Sequence, residues 1–391
     1  MYIHRTLEKA LKESLEQFPV VLVTGPRQSG KSTFLHHSLK GYNYVTFDDI
    51  LARNLAESDP ILFLKTYTPP LILDEIQYIP SLLSRIKMIV DADRRTYGQY
   101  VLTGSQIFPL MKGVSESLAG RIAIFQLFPL SWKELHSSDL FDEITVVGQM
   151  LRGFYPEFQV QPNLNPKFWH SAYLSTYLER DLRMIRNIQD LGQFQRFLVL
   201  LAARAGQILN LSEVGKECGI SQTTAKDWLT LLQSTSIIYL LEPYARNVTK
   251  RIVKSPKLFF VDTGLLCYLL RIESVDQLIH SPFRGHLFEN MVVMEAVKSF
   301  AGKGERAPCY YYRTASGLEI DLLLDHGDCL SAYEIKFSST PTIEMAKSLI
   351  QFKTEYPVKH ASVLTLCQRR LPFSHDVFSE HWSKIMTVHG S

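Results

Sequence analysis

Short apolar runs alternate with stretches of helical periodicity through the first third of the chain. VVLVTG (20–25), YNYVTF (42–47), LILDE (71–75), QYVLTGS (99–105) and IAIFQLFPLS (122–131) read as strands. With helical patterns between them, they predict a parallel α/β sheet. A polar, turn-rich stretch, GFYPEFQVQPNLNPKF (153–168), reads as a boundary or linker. Beyond it, FWHSAYLSTYLERDLRMI (168–185) and QFQRFLVLLAARAG (193–206) are amphipathic or apolar enough to pack as helices. Residues 208–245 read as a small helical module ending in a strand-like IIYLLEPY. The texture then returns to α/β, with strands YYYRT, LEIDLLLD and AYEIKF after a helix near 286–300. The expected segments are 1–150, 151–205 (a helical linker region), 206–256 and 257–391.

Composition narrows the class without naming a function. A length of 391 residues, 46% hydrophobic and 21% charged, fits a globular protein of two or three domains. A net charge of +3 means that any nucleic-acid surface has to be local. The five cysteines, Cys218, Cys267, Cys309, Cys329 and Cys367, form no CxxC pair, which argues against a zinc site or a disulfide framework. The N-terminal stretch lacks the apolar core of a signal peptide, and no run approaches the roughly 18 apolar residues of a membrane span. The expected location is cytoplasmic.

The most specific motif is Gly25-Pro26-Arg27-Gln28-Ser29-Gly30-Lys31-Ser32, followed by Thr33 at the start of a helical run. It fits GxxxxGK[ST] directly after an apolar strand. Glycines let backbone N–H groups close around phosphate oxygens, and the helix N-terminus adds the positive end of its dipole. Lys31 would reach the β- and γ-phosphates of ATP, and the Ser32 hydroxyl would ligate Mg²⁺. Asp74 and Glu75 end the third run, where Asp74 would hold Mg²⁺ and Glu75 would polarise the attacking water. A chance glycine-rich turn and an exposed acidic turn are the plainer alternatives. Thr103 and Ser105, in LTGS, lie where a polar sensor could touch the γ-phosphate, or where a turn caps the next helix. Arg121, before the fifth run, is either a charge-neutralising arginine at the γ-phosphate or a salt-bridged surface residue.

With LFPLSWKEL, YLERDL, KLFFVDTGLLCYLL, GHLFENMVVMEA and EIDLLL…AYEIK added to these motifs, the chain resembles a known group. It is similar to the AAA-type ATPases of bacteria and archaea in which the ATPase domain precedes a C-terminal domain of unknown function, DUF4143. The resemblance spans nearly the whole chain. It implies a P-loop (ASCE/AAA-type) sheet, ATP and Mg²⁺ as cofactors, and a homo-oligomer such as a hexameric ring in which Arg121 reaches a neighbouring subunit. The usual Asn of the sensor position is absent, which puts the sensor role of Ser105 or Thr103 in question.

Two further patterns point to DNA as partner. ILNLSEVGKECGISQTTAKDWLTLLQSTSIIYLLEPY reads as helix, turn, helix and hairpin, and resembles a winged helix. Leu211–Cys218 is the first helix, Gly219 the turn and Ser221 the N-cap of the second, which exposes Gln222, Thr223, Thr224 and Lys226 at its start. The following RNVTKRIVKSPK (246–257), which includes Lys250 and Arg251, carries five basic residues and no acid, a stripe suited to phosphates. Winged helices also serve as packing modules.

The second pattern is Asp321 on one strand with Glu334-x-Lys336 on the next and Glu289 on the preceding helix. Alternation puts Glu334 and Lys336 on one face. The four resemble the restriction-endonuclease-like PD-(D/E)xK fold, in which Glu289, Asp321 and Glu334 would ligate Mg²⁺ and Lys336 would orient water. A retained fold whose acidic strands only bind or pack is the alternative. The function read from the sequence is therefore an Mg-ATP-dependent ATPase that translocates or remodels duplex or branched DNA. A nucleotide-dependent switch in signalling or defence, and a nuclease gated by its ATPase, are the other readings.

Overall fold

The computed structural model describes residues 2–104, 117–137, 145–177, 190–245 and 255–387. The five N-terminal runs fold as β1 (Val20–Thr24), β2 (Asn43–Thr46), β3 (Leu71–Asp74), β4 (Tyr100–Gly104) and β5 (Ile122–Gln126). They form one parallel sheet in the order β2-β3-β4-β1-β5. Both faces are covered, which is why β1, β3 and β4 are buried along their whole length and read as continuous apolar runs. Val20 and Leu22 pack with Phe47, Leu73 and Ile86 on one face, while Val21 and Val23 pack with Leu7, Leu11, Phe34 and Leu35 on the other. Because β1 lies beside β4 and one strand from β3, the loops leaving all three meet at one end of the sheet.

The fifth strand is shorter than the run 122–131. After Gln126 the chain leaves the sheet, and Ser131 caps the helix Trp132–His136 in a capping box with Glu134. Pro129, which has no N–H to donate, lies between the two elements.

The stretch 153–168 is packed, whereas its composition reads as a linker. Phe154, Tyr155 and Phe158 are buried in the largest core cluster, between the short helices Val146–Arg152, Pro156–Val160 and Pro166–Tyr177. Pro156 and Pro166 sit at helix N-termini, where a missing N–H costs nothing, so they punctuate helices that single-residue signals take for turns. The same cluster takes in Phe194, Phe197 and Leu201 of the helix Leu191–Ala202 and runs on into the C-terminal half. A fixed junction holds these parts together. The Asp262 carboxylate accepts from Phe154 N at 2.6 Å and, as an N-cap, from Leu265 N at 2.9 Å. Gly264 is required there, since a Cβ would lie 2.7 Å from the Arg152 carbonyl oxygen.

The helices Leu211–Cys218 and Gln222–Ser234 form with Gly219 at φ 69° between them and Ser221 accepting from Thr224 N. They are followed by the antiparallel pair β6 (Ile238–Leu241) and β7 (Lys257–Phe260). Strand β7 thus begins at Lys257, on the far side of the boundary drawn at 256. The basic residues Lys250 and Arg251 lie outside the described residues, as do Ser105 and most of YLERDL. The C-terminal half is a six-stranded mixed sheet built from β8 (Cys309–Arg313), β9 (Glu319–Asp325), β10 (Leu330–Ile335), β11 (Val358–Thr365), β12 (Leu371–Pro372) and β13 (Phe378–His381), in the order β12-β13-β11-β10-β9-β8. Helix Arg284–Ala301 covers one side and Lys347–Glu355 the other. No helix among the described residues is long and apolar enough to cross a membrane.

Candidate functional site

The loop after β1 has the backbone that its glycines allow. Gly25 has φ 147° and Gly30 φ 89°, and a Cβ on Gly25 would lie 2.1 Å from the Leu127 carbonyl oxygen beyond β5. Gln28 also adopts a positive φ, 58°. The helix Lys31–Ser38 starts directly on this loop. Lys31 is buried and its Nζ donates to the Gly25 and Pro26 carbonyls at 3.1 and 2.9 Å. An ammonium folded back on its own loop in this way is placed to exchange those carbonyls for phosphate oxygens.

Ser32 Oγ donates to Asp74 Oδ2 at 2.8 Å, so the hydroxyl and the carboxylate at the end of β3 meet in the folded chain. Two more hydroxyls hold Asp74. Tyr44 donates to the same Oδ2 at 2.6 Å, and Thr103 donates to Oδ1. Burial, then the bond to Asp74, pushes the Tyr44 phenol up, keeping it a donor. Glu75 stands at φ 58°, and its N–H donates to Thr103 Oγ1 at 3.0 Å. A non-glycine residue in the left-handed region is strained, and here the strain turns the carboxylate out of the strand and toward the loop. Gln77 donates to that carboxylate. Serine and aspartate oxygens side by side are the hard donor set that suits Mg²⁺.

Arg27, Gln28, Gly30, Lys31, Ser32, Thr33 and Glu75 line one cavity of about 320 Å³, closed by Tyr173 and Thr176. No motif marks these last two. They belong to the helix Pro166–Tyr177, whose place over the loop is decided by the packing of Tyr173 and Trp169 against Tyr155 and of Trp169 against Phe158. Arg5 was equally invisible. It is buried, donates to the Ser29 carbonyl at 2.9 Å and to the Phe128 carbonyl at 2.6 Å, and pairs with buried Glu134 at 3.2 Å. Arg121 does not line the cavity. Its Nε is 2.6 Å from Asp91 Oδ1, on the helix Leu82–Ala92, and this guanidinium holds the Asp91 carboxyl below its usual range.

At the start of the helix Gln222–Ser234, Gln222, Thr223 and Lys226 are exposed, while Thr224 is half-buried and occupied by the Ser221 cap. The four C-terminal residues do converge, with a fifth and sixth, Lys257 and Glu319, to which the motifs assign no role there. Lys336 Nζ lies 3.1 Å from Asp321 Oδ2 and 2.6 Å from Glu334 Oε2. Lys257, on β7, lies 3.2 Å from Glu289 Oε1, 2.6 Å from Glu319 Oε1 and 3.9 Å from Asp321 Oδ1. Burial, then the Asp321 charge, pushes the Glu289 carboxyl up to about 8 and also raises Glu334. Burial raises Asp321 too, but Lys336 and Lys257 outweigh it and leave that carboxyl low. Among the described residues, no three His, Cys, Asp or Glu groups are arranged to hold a metal ion.

A glycine-rich loop between β1 and a helix, backed by a serine–aspartate pair on a parallel five-stranded sheet, defines a P-loop ATPase of the AAA type. Residues 17–136 match an AAA domain, 145–276 a domain of unknown function (DUF8612) and 284–382 a domain of unknown function (DUF4143). An uncharacterized protein of Mycobacterium tuberculosis is 31% identical over 381 residues, 97% of this chain and 83% of its own. One from Methanocaldococcus jannaschii is 24% identical over 78% of this chain and 72% of its own. The chain belongs to this family, in which an AAA ATPase domain precedes a DUF4143 domain. Among solved structures, a Walker-type ATPase of Pyrococcus abyssi is similar with a TM-score of 0.45 and 15% identity, covering 68% of this chain and 94% of that one.

Proposed function

We propose that the protein turns over Mg·ATP and couples that turnover to translocation or remodelling of duplex or branched DNA, as a homo-oligomer. The meeting of Ser32 with Asp74 beside Lys31 carries the nucleotide half of this reading. Lys31 leaves its two loop carbonyls for the β- and γ-phosphates, and the loop amides take the remaining oxygens. Ser32 and Asp74 hold Mg²⁺, which supplies charge neutralisation at the phosphates when bound. Glu75 accepts the proton of the attacking water, and Thr103 fixes the Asp74 carboxylate and the Glu75 backbone, while Gln77 bonds the Glu75 carboxylate. In an oligomer, Arg121 is the residue to reach a neighbour's γ-phosphate, and to do so it must release Asp91.

The DNA half rests on the exposed start of the helix Gln222–Ser234, which leaves Gln222, Thr223 and Lys226 open to a groove, beside a wing whose connection bears Lys250 and Arg251. Labelled linear and four-way-junction DNA, incubated with the protein with and without Mg·ATP, tests both halves. The expected results are binding that falls steeply with salt, a slope about one unit shallower in Lys226→Ala, and DNA-stimulated ATP turnover that Lys31→Ala abolishes. ATP turnover without DNA binding at low salt would sink the DNA half and favour a nucleotide switch.

A further inference from the structure

The PD-(D/E)xK resemblance calls for a divalent cation between Glu289, Asp321 and Glu334, and the residues present do not fit one. Each gap between carboxylates already holds an ammonium. Lys257 stands between Glu289 Oε1 and Asp321 Oδ1, at 3.2 and 3.9 Å, and Lys336 stands between Asp321 Oδ2 and Glu334 Oε2, at 3.1 and 2.6 Å. Asp321 Oδ2 also accepts from the Ile335 N–H at 2.8 Å. At least one oxygen of each carboxylate is thus taken by a protein donor.

Lys336 is the lysine of the motif and is partly exposed. Lys257 is not in the motif, and its side chain is 3% exposed. It has no route of retreat, because its strand is fixed on both sides. Lys257 pairs with Leu241 across the hairpin and bridges Ile208, with Leu258 N donating to Gln207 O at 3.0 Å and Leu209 N to Pro256 O at 2.9 Å. A divalent ion ligated by Glu289 and Asp321 would sit against this charge in a dry site, where like charges are screened least.

The partners of Lys257 also show what it joins. Glu289 lies on the helix Arg284–Ala301, Glu319 and Asp321 on β9, and Lys257 on the wing hairpin. Beside it, Tyr311 of β8 donates from its hydroxyl to the Ser255 carbonyl at 2.5 Å, and Tyr244 N, just beyond β6, donates to the Tyr311 carbonyl at 2.6 Å. We propose that Lys257 is the resident cation of the C-terminal carboxylate cluster, which clasps the winged-helix hairpin to the C-terminal sheet and takes no divalent metal. The C-terminal domain then does not cut DNA by metal-dependent hydrolysis.

The test titrates the full chain with Mn²⁺ in the absence of nucleotide, following the free ion by electron paramagnetic resonance, so it is independent of the ATPase reading. The wild type is expected to show no Mn²⁺ site that Asp321→Asn removes. Lys257→Met is expected to gain one, which is lost again in Lys257→Met/Asp321→Asn. Lys257→Arg, which keeps the charge, is expected to gain none and serves if Lys257→Met does not fold. Three outcomes would each overturn the proposal: an Asp321-dependent Mn²⁺ site in the wild type, Mn²⁺-dependent DNA cleavage that Asp321→Asn abolishes, or a folded Lys257→Met with no gained site.

Discussion

Arg5→Ala tests whether a residue outside every motif holds the phosphate-binding loop in shape. The guanidinium donates to the Ser29 carbonyl inside the loop and to the Phe128 carbonyl behind it, and pairs with Glu134 at 3.2 Å. Breaking one side of a buried ion pair costs about 3–5 kcal/mol. Glu134 keeps three other donors, Thr6 N, Thr6 Oγ1 and Ser131 N, so the lower end applies and the expected loss is about 3 kcal/mol. Part of that loss falls on the nucleotide site, because Ser29 loses the charged donor that fixes its carbonyl. A tenfold weaker affinity for a fluorescent ATP analogue, about 1.4 kcal/mol, is expected alongside a lower urea midpoint. Arg5→Lys keeps a charge near Glu134 without the fork, so it should recover stability more than affinity. The acid limb gives an independent check. Burial raises the Glu134 carboxyl, but Arg5 and its backbone donors outweigh this and leave it below its usual 4.5. Its contribution is therefore complete above pH 4.5 and lost as pH falls through the folded value, and Arg5→Ala should flatten this limb. A variant that loses less than about 1 kcal/mol and binds nucleotide unchanged would refute the reasoning.

Three further expectations follow from single contacts. Glu75→Gln should bind ATP as the wild type does yet turn it over at least ~100-fold more slowly in a phosphate-release assay, since it removes a general base and keeps the side-chain shape. His170 is buried with neither ring nitrogen hydrogen-bonded, and burial pushes it down to about 3, so it stays neutral in the fold and takes a proton on unfolding. The stability it confers is present above its ordinary 6.5 and lost as pH falls, about 2 kcal/mol by pH 5, a slope that urea titrations of His170→Phe should lack. Asp262→Ala should cost about 3 kcal/mol in the same assay, from a lost N-cap and a stranded Phe154 amide.

The sequence by itself determined the elements whose cause is local. Buried parallel strands read as apolar runs because both faces are covered, and GxxxxGKS declares its loop because glycines and a helix start are local requirements. Gly219 and Ser221 marked the turn and cap of the helix pair for the same reason, each acting within a few residues of itself. What only the tertiary structure decided lies at large sequence separation. Arg5 reaches Phe128, Tyr173 and Thr176 close a cavity built around residues 27–33, and Phe154 hangs from Asp262. Proline and polar residues hid the packed stretch 153–168, whose Tyr155 and Phe158 rings pack on Trp169, His170 and Tyr173 of the next helix, while Phe154 is held by distant Asp262. Lys257 shows the same limit most clearly. In the sequence it is one of five basic residues in a stripe, and only the fold brings it among Glu289, Glu319 and Asp321. Local rules fix backbone conformation and patterning. Which charge meets which depends on how distant elements pack, and no spacing along the chain records that.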